Sequence, residues 1–188
     1  EIGVAVQRTA DGLFITARLP LALGPAVEEA LLKAVPLYFV YQAEVHEPRW
    51  YWADKRIAST TRTLRLAYQP LTRRWRLSVA TGPTTANAVY ALHQNFDALP
   101  DALSAIGRVA RWRVADGARL DDDARYTVDF RFRLDLSLLP RPLQIGVANQ
   151  PDWNIDLQRR LRTTAQPETA EPGPAAAPEA DDAAAPAR

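Results

Sequence analysis

The 188 residues contain no cysteine, which excludes disulfide frameworks, thiol nucleophiles and thiolate-held zinc. Histidine occurs twice, at His46 and His93, too rarely for most histidine-built metal centres. No apolar run reaches the roughly 18 residues of a membrane-spanning helix. The eight glycines are scattered, and none builds a phosphate-cradling loop or a dinucleotide fingerprint. Charge of one sign is lacking too: 23 Lys and Arg against 22 Asp and Glu leave +1, so no global field selects a partner. Methionine is absent and the sequence opens at Glu1. A cleaved leader, and hence export, is the expectation set against an arbitrary boundary or a removed tag.

What is present is ample for a core: 47% of residues are hydrophobic, in a length suited to one domain. Composition changes most sharply near Thr163. Residues 163–188 hold ten alanines, five prolines, five acids and one base, with no aromatic, Ile, Leu or Val. Such a stretch buries too little apolar area to offset its ordering entropy. The reading is therefore a single β-rich domain over 1–162 and a disordered, acidic, extended tail over 163–188. Without the tail, 22 bases minus 17 acids give the domain +5.

Strand-like alternation dominates the domain. Ile2, Val4 and Val6 precede Asp11-Gly12, a hairpin signal that would set Val6 opposite Ala17 and Val4 opposite Leu19. A short helix is expected at 25–34, with Pro25 in its first turn and Val27, Ala30, Leu31 and Ala34 inward. Leu37, Phe39, Tyr41, Ala43 and Val45 share one side of a strand over 36–46. Its other side, with Tyr38 and Val40, is half apolar, as in a strand covered on both faces for part of its length. A second hairpin is read from 55–68 and the alternation of Trp75, Leu77 and Val79. Residues 88–96 fit strand or helix. A helix over 97–106 is expected, capped by Asp97 and ended by Gly107. Ala110, Trp112 and Val114 alternate with Arg111 and Arg113, and Tyr126 to Leu136 alternate at period two against Arg125 to Asp135. The fold class is mostly β: an antiparallel, sandwich-like domain with two short helices.

Candidate chemistry is sparse. Asp121-Asp122-Asp123 lacks the alternating ligands, glycine and distal glutamate of a calcium loop, and reads as a solvated turn. His46-Glu47 has no nucleophile beside it, and adjacent strand residues face opposite sides. His93 reads as an ordinary hydrogen-bonding residue. No catalytic residue, metal or cofactor is assigned.

Two features remain. Arg49-Trp50-Tyr51-Trp52-Ala53-Asp54 places three consecutive aromatics between opposite charges, and three neighbours cannot all enter one core. They are a partner- or ligand-binding platform, or a bend clamped between strand ends with Arg49 and Asp54 paired. Arg74, Arg76, Arg111, Arg113, Arg131 and Arg133 fall on expected wet faces. As neighbours they would make a basic surface for phosphates or anionic headgroups; Asp129 and Asp135 would offset part of it.

The string Pro48 to Asp54 is also where a family resemblance begins. With Leu37-Tyr38-Phe39, Leu66-Ala67-Tyr68, Trp112-Arg113-Val114, Leu134-Asp135, Leu139-Pro140-Arg141-Pro142-Leu143-Gln144 and Trp153-Asn154, residues 2–157 resemble the bacterial family known as domain of unknown function 4390. The resemblance implies exported, often proline-rich proteobacterial proteins with a cleavable leader, encoded beside a membrane sensor histidine kinase of the nitrogen-regulation type. It implies no activity and transfers no catalytic residue. The expected function is a non-catalytic periplasmic module that binds a protein, the membrane kinase being the named candidate, and not nucleic acid. The alternative is a carrier of a small apolar or sugar ligand whose cleft is rimmed by Trp50, Tyr51 and Trp52.

Overall fold

The computed structural model describes residues 1–82 and 87–163. Within these described residues, nine antiparallel strands make two sheets around one core. The smaller sheet, in the order β1-β2-β7, comprises β1 (Gly3–Thr9), β2 (Gly12–Arg18) and β7 (Arg108–Asp116). The larger runs β6-β5-β4-β3-β8-β9, from β6 (Leu92–Phe96) through β5 (Arg74–Thr81), β4 (Lys55–Gln69), β3 (Leu37–Glu47) and β8 (Thr127–Leu134) to β9 (Asp156–Arg162). Three short helices accompany them: α1 (Pro25–Leu32), α2 (Leu99–Ile106) and α3 (Arg141–Val147).

The inward side of β3 is the alternating set Leu37, Phe39, Tyr41, Ala43 and Val45, all fully buried. Its neighbour β8 places Val128, Phe130, Phe132 and Leu134 on the same side, with Tyr41 opposite Phe132 and Ala43 opposite Phe130. From the smaller sheet Leu13, Ile15, Ala17, Val109, Trp112 and Val114 close over them. Tyr41 meets Trp112 edge-on, with ring centroids 6.3 Å apart, and donates its hydroxyl to the Ile106 carbonyl at 2.6 Å. On the outer side of β3, Val40 is buried as well, so this strand is covered on both faces at that point.

Several expectations need correction. The first hairpin turns at Ala10-Asp11, so Val6 faces Ile15 and Val4 faces Ala17. The register is two residues from the expected one, and because a strand's period is two the same side chains still point inward. Gly12 belongs to β2 at φ +142°, and a Cβ there would lie 2.0 Å from the Ala115 carbonyl oxygen; only glycine fits. Asp97 does not cap α2. Ala98 holds that position and Asp97 instead pairs with Arg74 at 2.8 Å. Ala110 is exposed and Val109 buried, because a bulge at Ala110-Arg111, with Arg111 at φ 45°, reverses the alternation. Residues 92–96 are strand. Helix α3 and strand β9 add to the two helices and the strands expected.

Thr163, the first residue of the expected tail, is packed against Tyr126. Thr163 is buried; its N–H donates to the Tyr126 carbonyl at 2.9 Å and its hydroxyl accepts from the Tyr126 N–H at 3.1 Å. The expected tail from residue 164 onward lies outside the described residues.

Candidate functional site

The two longest strands, β3 and β4, form one hairpin whose connection is Pro48 to Asp54. Its register slips by one residue between Val45 and His46, just before the tip. Trp50, Tyr51 and Trp52 stand at that tip, 94%, 65% and 75% exposed. Trp50 and Tyr51 pack edge to face, centroids 5.1 Å apart, so the two rings order each other without any core contact. Arg49 is half-buried and Asp54 exposed. The expected Arg49–Asp54 pair does not form among the described residues. The three rings stand out from the strand ends, exposed rather than packed between them. A cleft of about 920 Å³ beside the tip is walled by Pro48, Asp54, Arg125, Arg160 and Arg162, and none of the three rings lines it. The tip projects.

The six arginines do not converge. Arg111 and Arg113 belong to the smaller sheet, while Arg74 and Arg76 on β5 are separated from Arg131 and Arg133 on β8 by β4 and β3. Most are answered locally. Arg131 pairs with Asp156 and holds that carboxyl below its usual range by hydrogen bonding, while Arg133 lies 3.4 Å from Asp135 and Arg113 4.0 Å from Asp116. Arg111 lies over the Phe14 ring, 5.0 Å from its centroid. The basic surface expected of these six residues is dispersed by strand order and by cross-strand acids.

Other groups form networks of structural character. His46 turns away from Glu47 and sets Nε2 3.4 Å from Glu44 and 3.6 Å from Asp129. Those two carboxylates are direct cross-strand partners, a repulsive arrangement relieved by Arg56 on Glu44 and by Arg160 on Asp129. His93 Nδ1 shares a hydrogen bond with the Ser78 hydroxyl at 2.8 Å. Among the described residues no group of three or more His, Asp or Glu is placed to hold a metal ion.

Sequence reasoning missed two arginines on inward positions. Arg8 is buried, donates to the carbonyls of Ala124 at 2.7 Å and Asp121 at 2.6 Å, and lies over the Tyr126 ring. Arg62 lies opposite Tyr41 on β4, with its guanidinium 5.5 Å from the Trp112 ring centroid; burial lowers its pKa from the ordinary value. The parity of each strand carries the signal for both. Arg8 shares the parity of Val4 and Val6, and Arg62 that of Leu64 and Leu66.

No curated protein and no solved structure matches the chain. A family model does: residues 3–162, all nine strands and three helices, match the family described as a domain of unknown function (DUF4390), and the chain belongs to that family.

Proposed function

We propose that this domain is a non-catalytic binding module of the periplasm that contacts another protein through the aromatic tip at Trp50, Tyr51 and Trp52. The observation that carries the reading is the exposure of these three adjacent rings at the tip of the hairpin that joins the two longest strands. Trp and Tyr are the residues most enriched at the energetic centres of protein interfaces, because each buries a large area while losing few rotatable bonds. Leaving three of them in water is otherwise unfavourable, at about 25 cal/mol for each Å² of apolar surface. Arg49 and Asp54 flank the rings with opposite charges, which suits the polar rim of such a contact. Periplasmic location and a membrane sensor kinase as the partner rest on the family resemblance alone.

The test is recovery of a specific partner from detergent-solubilised membranes with the tagged chain. Trp50→Ala combined with Trp52→Ala should abolish that recovery, and Leu71→Ala, at an exposed residue in the β4–β5 turn, should leave it intact. Equal recovery by all three proteins contradicts the reading. Binding to protein-free lipid vesicles that is lost with the same tip variant would assign the rings to the bilayer interface instead.

A further inference from the structure

We propose that the cleft between the end of β2 and helix α2 binds a single-chain amphiphile with a carboxylate head, a long-chain fatty acid. The cleft has a volume of about 770 Å³, within the roughly 300–1,000 Å³ of small-molecule sites. Leu19, Leu21 and Leu23, in the segment leaving β2, and Leu99 and Leu103 of α2 make it apolar. These two walls are held together at Gly107, whose carbonyl accepts from the Leu19 N–H at 2.8 Å. A Cβ on Gly107 would lie 2.1 Å from the Leu19 carbonyl oxygen, so the approach requires glycine.

Two cations share the rim. Arg18 and Arg108 are direct partners in the β2–β7 register, and both line the cleft. Like charges set opposite each other across an antiparallel pair repel. Elsewhere in this fold such a pair is relieved: Glu44 is answered by Arg56 and Asp129 by Arg160. Here, among the described residues, no ion pair relieves it. Glu1 and Glu28 also line the cleft, yet among the described residues neither forms an ion pair with Arg18 or Arg108. A carboxylate placed between the guanidinium groups converts repulsion into two charge-assisted hydrogen bonds, while its acyl chain covers the leucines. A neutral amphiphile satisfies only the second requirement. The inference is independent of the aromatic tip, which lies on another hairpin.

The full chain is titrated with cis-parinaric acid, a fatty acid whose fluorescence rises in apolar surroundings. The wild type should bind it saturably, with dodecanoate displacing the probe and dodecanol failing to do so at equal concentration. Arg18→Gln with Arg108→Gln should weaken binding by at least about tenfold, with a thermal midpoint equal to or above that of the wild type because the repulsion is gone. Ser104→Trp, at an exposed cleft-lining position of α2, should abolish binding by filling the cleft and leave the arginines untouched. Trp50→Ala with Trp52→Ala should bind as the wild type does. The proposal is overturned by a non-saturable wild-type signal, by equal affinity in the arginine or Ser104 variants, by displacement with dodecanol, or by loss of binding in the tip variant.

Discussion

The Tyr41 hydroxyl donates to the carbonyl of Ile106 across 2.6 Å of buried space, tying the central strand of the large sheet to the last turn of α2. One bond thus couples β3, α2 and, through Gly107, the start of β7. Tyr41→Phe keeps the ring and deletes the donor, leaving that carbonyl without its partner. A loss of about 1–3 kcal/mol is expected from urea unfolding. Burial also pushes the Tyr41 pKa up from its ordinary value. The unfolded chain ionises this phenol above about pH 10 while the folded chain resists, so stability falls as pH rises past that point. In Tyr41→Phe the alkaline decline should be shallower.

Phe130 and Phe132 test the core directly. Both are buried, and Phe132 packs against Phe39 and Tyr41 at centroid distances of 5.9 and 4.6 Å. Each truncation to Ala should cost about 3–5 kcal/mol through lost transfer energy and a cavity. Arg131, between them, faces the other way and pairs with Asp156 at a partly exposed site. Arg131→Ala should cost under about 1 kcal/mol. Equal damage from Arg131→Ala and Phe130→Ala would contradict this assignment of faces.

The contrast between β8 and its neighbours shows what the sequence makes legible. In β8 every inward position from Val128 to Leu134 is apolar and every outward one polar, so period two reads directly. β9 offers only Leu157 and Leu161 on its inward side, with Arg159 between them, because an edge strand over a sheet rim buries little. Helix α3 spans seven residues and buries only Val147, too few for a helical period to emerge. The bulge at Arg111 reverses parity by a backbone device that side-chain pattern does not encode. For the site, three adjacent aromatics announced that not all enter the core, which their exposure bears out. The arginine faces needed strand order, and the Arg18–Arg108 cleft needed a pairing between residues 90 positions apart; neither is a local property.

Arg8 gives a further check. Its guanidinium holds the carbonyls of Asp121 and Ala124, fixing the connection that precedes Tyr126. Arg8→Ala should destabilise by about 2–4 kcal/mol, since two carbonyls lose a charged donor. Hydrogen exchange should rise first at residues 121–125. Stability unchanged to within 0.5 kcal/mol, roughly the effect of a neutral surface change, would contradict it.

Removal of residues 164–188 should shift the thermal midpoint by no more than about 2–4 °C, the equivalent of 1 kcal/mol in a domain of this size. That segment has no aromatic, Ile, Leu or Val to contribute to a core. Removal of Thr163 as well should cost more, because its two hydrogen bonds to the Tyr126 backbone go with it. A large drop on the shorter deletion would mean that the acidic segment docks on the basic domain.

The binding role of the tip is tested most directly by photo-crosslinking in living cells from a benzophenone amino acid placed at position 51, with position 71 as control. Both sites are exposed on hairpin turns, but only the first lies among the three aromatics. A discrete, higher-mass protein adduct formed from position 51 and not from position 71 is the predicted result. No adduct from position 51, or the same adducts from both positions, would contradict the account.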